Sequence, residues 1–231
     1  MFHFAGGNCY SFDFLKPHLR DFEIVTPELP GRGRRINETL IRDFDQAALD
    51  LYSQMARRLT FGSFIIYGHS MGAYLGLRVV SLLEQQGLSP SYLIVSGNPG
   101  PGAVDDGSAP VRHLMERSRF ADELALLGGT PRELIENDDL FNYIEPILRA
   151  DFQVAERNAL ADEPPVNCPL HAIMGSLEEN TEAIDNWGRY TAASFTSQLL
   201  DGDHFFIRRH PHEIAGIIRK CHLSAHPEAS F

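Results

Sequence analysis

Ser70 stands at the centre of Gly68-His69-Ser70-Met71-Gly72, a G-x-S-x-G pattern with the apolar run "SFIIYG" (Ser63–Gly68) before it and a helix-forming run after it. A serine at a sharp strand-to-helix turn projects its hydroxyl clear of the backbone, where it can act as a nucleophile. The glycines two positions to either side have a mechanical reason: a side chain there would collide with neighbouring backbone. A serine hydroxyl needs a base, and histidine in hydrogen-bond reach is the usual one. Of the ten histidines, His204 in "LLDGDHFFI" follows the last strand-like run and is expected at the same sheet edge as Ser70. His69 lies inside the turn but points away from the serine's task. His113, His210, His212, His222 and His226 fall on helical or terminal stretches and read as solvated; His3, His18 and His171 read as strand or core residues.

A tetrahedral oxyanion would need two backbone donors. The Met71 N–H follows the nucleophile and opens a helix, whose N-terminal dipole favours negative charge. The second is assigned to Ala5 N–H, in the glycine-rich turn "FAGGN" after the opening strand.

The elements that must hold these groups alternate short apolar runs with longer amphipathic ones, the pattern of an α/β protein with a parallel sheet covered by helices. Strands are expected at Met1–Phe4, within Phe22–Arg35, and at Ser63–Gly68, Tyr92–Gly97, Pro169–Gly175 and Thr196–Gly202. Helices are expected at Phe12–Leu19, Asp43–Leu59, Ala73–Gln86 and near His212–His222. Between about Arg112 and Asn158 only helical segments occur, an insertion of the kind that caps an active site, with Gly128-Gly129 as its hinge. Residues 1–231 are expected to form one domain, with this lid at about 112–158.

The chain has 231 residues, of which 43% are hydrophobic, enough for a sizeable core. Its formal charge of −11 argues against general nucleic-acid binding, which needs a basic footprint. No run approaches a membrane span, and "MFHFAGG" lacks the basic region and apolar core of a secretory signal. Cys9, Cys168 and Cys221 are scattered and odd in number, which fits a reducing cytoplasm and offers no metal-site spacing.

Taken together, "FAGG", "PGRGRR", "GHSMGA", "VSGNPGP", "LLGGTPRELIENDDL", "ILRADF" and "GDHFF" resemble the type II thioesterases of polyketide and nonribosomal peptide pathways, a branch of the α/β-hydrolases. The resemblance spans nearly the whole chain, although the family usually has several more residues before the opening strand. It implies an α/β-hydrolase fold with a helical lid, and editing hydrolysis of acyl thioesters on the phosphopantetheine arm of acyl or peptidyl carrier proteins. It implies a Ser-His-acid triad acting through an acyl-enzyme, with no metal and no soluble cofactor, in a monomer. The family's acid is an aspartate in a context like G-G-x-D-D; this chain reads Gly175-Ser176-Leu177-Glu178-Glu179, and the matching position is Glu178. Glu179 and Asp185 are the neighbouring acids. Because carriers are generally acidic, a basic docking patch is expected from Arg32, Arg34 and Arg35 with Arg208 and Arg209. The alternatives are a small-molecule carboxylester hydrolase and a non-catalytic carrier-binding module.

Overall fold

The computed structural model describes residues 1–59, 63–103 and 111–225. Four parallel strands form a sheet in sequence order: β1 (Ile65–His69), β2 (Tyr92–Ser96), β3 (Leu170–Gly175) and β4 (Phe195–Leu200). Their side chains alternate between two cores, as the pleat requires. Ile66, Leu93, Val95, Leu170, Ala172 and Met174 face one core, shared with α1 (Phe44–Ala56) and α2 (Met71–Glu84). Tyr67, Tyr92, Ile94 and Ile173 face the other, closed by α6 (Pro211–Ala225) and the short 3₁₀ helix Asp13–His18. The inner strands read as unbroken apolar runs because both faces are covered. β4 is an edge strand, half exposed and correspondingly richer in Thr, Ser and Gln.

Since all four strands run the same way, their C-terminal ends share one edge, and the loops that follow them converge there. Ser70 follows β1, Glu178 follows β3 and His204 follows β4.

Two expected strands do not form. Met1–Phe4 contributes one isolated bridge, Phe2 to Gly68, and Phe22–Pro27 has no ladder at all. Pro27 and Pro30 supply no N–H, and Val25 spends its carbonyl on the Met1 amino group at 2.6 Å. His113, expected to be solvated, is buried, with Nδ1 2.5 Å from Glu156 Oε2. His226 lies outside the described residues.

Between β2 and β3 come α3 (Arg117–Leu127), α4 (Arg132–Glu136) and α5 (Asp138–Glu156). Phe120, Leu124, Phe141 and Leu148 give this cap its own small core. Arg149 and Arg117 sit over the Phe120 and Phe141 rings at 4.4 and 4.7 Å. The C-terminal half of α5 leaves that cap and enters the main core, where Ala150, Asp151 and Val154 are fully buried. α4 buries no residue. Gly128 ends α3 in the left-handed region (φ 76°), and Gly129 lies so close to the Phe205 ring that a Cβ would overlap it. The cap is therefore anchored at its α5 end, with Gly129 packed against Phe205 and Gly128 open around its Cα.

Hydrogen exchange is expected to divide the cap: the second half of α5 protected like the sheet, α3 and α4 exchanging at least tenfold faster, about 1.4 kcal/mol less stable. Uniform protection from 117 to 156 would mean a cap that opens only with the whole molecule.

Candidate active site

Ser70 adopts φ 55° and ψ −118°, a conformation rare for any residue with a side chain. Its surroundings leave no alternative. A Cβ on Gly68 would overlap the Gly72 carbonyl, and one on Gly72 would overlap the Phe2 carbonyl. The Ser70 N–H donates to Ser96 O at 2.7 Å, and Ser70 O accepts from Asn98 Nδ2 at 2.9 Å. The nucleophile position is thus tied to the ends of β1 and β2 at once.

Three of the expected site residues meet in one hydrogen-bonded chain. His204 Nε2 is 3.0 Å from Ser70 Oγ, and His204 Nδ1 is 2.6 Å from Glu178 Oε2. Glu178 is oriented by its other oxygen, which accepts Gly175 N–H at 2.7 Å. The carboxylate accepts a hydrogen bond from Nδ1–H, so the proton stays on Nδ1 and Nε2 is left as acceptor for the serine hydroxyl. Glutamate's extra methylene is absorbed by a tight turn back onto the end of β3. Glu179 is exposed, and Asp185 bonds Ser197 Oγ at 2.6 Å; neither reaches His204.

Ala5 and Met71 line the same cavity as Ser70, and neither N–H donates a hydrogen bond among the described residues. Met71 has no intrahelical acceptor because it opens α2. Ala5 lies in the turn closed by Gly7 N–H to Phe4 O at 2.9 Å. The cavity, about 1260 Å³, runs from this centre beneath the cap, past Tyr74, Leu124, Leu148 and Phe152.

Behind His204 lies a polar stack. The His69 ring is 5.1 Å from the His204 ring and fully buried, with Nδ1 2.8 Å from Ser96 Oγ; Tyr67 OH is 2.9 Å from the same oxygen. Burial, then the proximity of His204, push the His69 pKa well below its ordinary value. Burial likewise lowers His3 to about 4, helped by Arg32, and His171 to about 4, helped by Lys220.

The expected arginine patch is corrected. Arg32 is buried and forms a two-pronged ion pair with the fully buried Asp151, and Arg35 is bound by Glu38 and Asp50. Arg34, Arg208 and Arg209 remain exposed, Arg208 over the Phe205 ring and Arg209 3.2 Å from Asp201. Asn98, Ser96 and Asp151 were missed in the sequence. Asp151 sits in "ILRADF", but nothing local distinguishes it from a solvated helix carboxylate.

The Thioesterase domain family matches residues 1–222. The chain belongs to the thioesterase family. Its enzymatic class is therefore thioester hydrolysis, and it resembles a type II thioesterase over 95% of its length. Linear gramicidin dehydrogenase LgrE of Brevibacillus parabrevis is 32% identical over 224 residues, 94% of this chain and 84% of that protein. RedJ, a thioesterase from the prodiginine pathway of Streptomyces coelicolor, superposes with a TM-score of 0.85 at 27% identity, covering 95% of this chain and 83% of RedJ. The type II thioesterase BorB from the borrelidin cluster gives 0.80 at 27% identity, with 95% and 90% covered. No helix among the described residues is long and apolar enough to cross a membrane.

The buried histidines make stability depend on pH. His3, His69 and His171 take up protons near pH 6.5 when unfolded but resist them when folded, so the unfolded chain binds more protons on acidification. The melting temperature is expected to hold between about pH 7 and 8 and to fall between about pH 6.5 and 4. His171→Gln, remote from Ser70, should flatten part of that fall. A melting temperature constant down to pH 4 would contradict the neutral state assigned to these rings.

Proposed function

We propose that the protein is an editing thioesterase that removes stalled or aberrant acyl groups from the phosphopantetheine arm of carrier proteins in polyketide or nonribosomal peptide assembly. The observation that carries this reading is the Ser70–His204–Glu178 chain at the head of a large covered cavity on a thioesterase fold. At about 1260 Å³ the cavity exceeds the ~300–1,000 Å³ of common small-ligand pockets, which leaves room for an acyl group and the end of the pantetheine arm.

In this mechanism Ser70 Oγ attacks the thioester carbonyl while His204 Nε2 takes its proton. Glu178 holds the resulting imidazolium. The Ala5 and Met71 N–H groups receive the developing oxyanion, with the α2 dipole behind Met71. Collapse of the tetrahedral adduct breaks the C–S bond, and His204 returns the proton to the departing thiolate. Water, deprotonated by His204, then attacks the acyl-serine; the acid leaves and Ser70 recovers its hydrogen. The chemistry calls for no metal and no soluble cofactor, since the phosphopantetheine arrives covalently on the carrier. The dehydrogenase name belongs to LgrE; the side-chain relay here is built to move a proton. In this reading the enzyme acts as a cytoplasmic monomer, consistent with its free thiols at Cys9, Cys168 and Cys221.

Ser70→Ala is expected to keep the fold and abolish turnover of acyl-carrier thioesters followed by intact-protein mass spectrometry. Glu178→Gln should lower kcat by about 10³–10⁴, whereas Glu179→Gln and Asp185→Asn should be silent. Wild-type turnover by Ser70→Ala would overturn the serine mechanism. Faster hydrolysis of oxygen esters than of thioesters with the same acyl group would overturn the substrate class.

Carrier docking is assigned to two of the three arginines left exposed, Arg34 and Arg209; the third, Arg208, lies over the Phe205 ring. Arg34→Glu with Arg209→Glu should raise KM for acyl-carrier about tenfold and leave acyl-pantetheine within twofold. Equal changes for both substrates would move the docking site elsewhere.

A further inference from the structure

The buried Arg32–Asp151 pair lies outside the hydrogen-bonded chain at Ser70, yet it ends on the glycine turn beside it. Asp151 Oδ2 accepts Gly6 N–H at 2.8 Å and also Arg32 Nη1; Oδ1 accepts Arg32 Nη2 at 2.8 Å. Arg32 Nη1 reaches Gly7 O, and its Nε reaches Pro30 O, each at 3.4 Å. One helical turn before Asp151, Leu148 presses on the same turn: a Cβ on Gly6, whose φ is +75°, would stand 2.6 Å from Leu148 Cδ2. Leu148 and Asp151 are three residues apart and so share a face of α5.

The consequence is geometric. Ala5 is flanked by two peptide planes. The plane carrying Ala5 N–H also carries Phe4 O, which is held by Gly7 N–H at 2.9 Å. The next plane carries Gly6 N–H, which Asp151 holds. With both planes pinned, the direction of Ala5 N–H is set. A buried ion pair is a poor way to gain stability, because desolvation consumes most of its attraction. It is a good way to fix direction: a guanidinium fork and a carboxylate lock in one plane, while Leu148 already supplies the apolar contact.

We propose that Asp151, held by Arg32, is a positioning residue that aims the Ala5 N–H at the oxyanion and so ties the cap helix α5 to the chemistry at Ser70. The inference rests on the serine reading above. Displacement of α5 would release the turn, so the oxyanion site is complete only while the C-terminal half of that helix is seated.

Two variants of the full chain test this. Asp151→Asn keeps the shape but removes the charge. Arg32→Met with Asp151→Leu replaces the pair by apolar groups, a change that commonly preserves or raises stability, and takes the acceptor from Gly6. Rates on acyl-pantetheine are expressed per Ser70 titrated with a fluorophosphonate, so only folded sites count. In both variants kcat should fall about 10- to 100-fold with KM within twofold. Inhibition by an acyl trifluoromethyl ketone, which forms an oxyanion on Ser70, should weaken by a similar factor, while an unreactive acyl-pantetheine amide binds as before. Should Asp151→Asn be too unstable to titrate, the double variant decides alone. Wild-type kcat in a variant with a wild-type melting temperature overturns the proposal, as does equal weakening of ketone and amide. Failure of the serine reading would instead show in the wild-type protein, as hydrolysis without labelling of Ser70.

Discussion

Everything at the site depends on how closely three backbone segments approach one another. Phe2, Gly68 and Gly72 leave no space for a Cβ between them, and that contact allows Ser70 to stand at φ 55°. The same contact sets where the N-terminal segment lies. Phe2 N–H donates to Tyr67 O at 2.8 Å, and His69 N–H donates to Phe2 O at 3.3 Å. Two residues later the chain reaches the Phe4–Gly7 turn, which is therefore delivered beside Ser70 rather than to some other part of the sheet edge. One steric constraint thus places the serine and the turn proposed to serve it.

The buried rings behind His204 follow from the proton transfer proposed for that residue. The proposed transfer makes His204 an imidazolium, with the His69 ring centroid 5.1 Å away. A second positive charge at that distance would oppose the transfer. Burial keeps His69 neutral, and Ser96 fixes the ring by a hydrogen bond that needs no charge. The aromatic contacts of Phe4 and Phe205 with His69, at 5.8 and 5.6 Å, seal the stack against water. His69 is thus a packing partner for the base, consistent with its side chain pointing away from the serine.

Periodicity made the strands legible. β1, β2 and β3 are apolar on both faces, and the glycines around Ser70 mark a close approach that only glycine permits. Glu178 was reachable only through the resemblance, which places the family's acid in the loop after this strand; the residues themselves left Glu179 and Asp185 as alternatives. The Phe22–Pro27 run was not, since apolar content signals burial without saying whether a ladder partner exists. His113 was misread for a similar reason: helical spacing reports which face is buried in its own element, and the partner that holds this ring, Glu156, lies 43 residues later.

Charge was the least legible property. In sequence, "PGRGRR" is a solvated basic loop or a docking patch. In the folded chain two of its three arginines are engaged by carboxylates, one of them fully buried, and the reason is chemical. A guanidinium presents five donors in a rigid plane and keeps its charge when buried, so it can satisfy a carboxylate and nearby carbonyls together. Arg35 does this with Glu38, Asp50 and the Glu28 carbonyl, and Arg32 with Asp151, Pro30 and Gly7. Asp151 is 119 residues from Arg32, and no local pattern announces such a partner. What the pair adds to the fold is a direction for the turn between Phe4 and Gly7, a quantity that hydrophobic patterning does not encode. A chain can therefore display its nucleophile and base openly in sequence while the residues that orient the accompanying backbone donors look like ordinary surface charge.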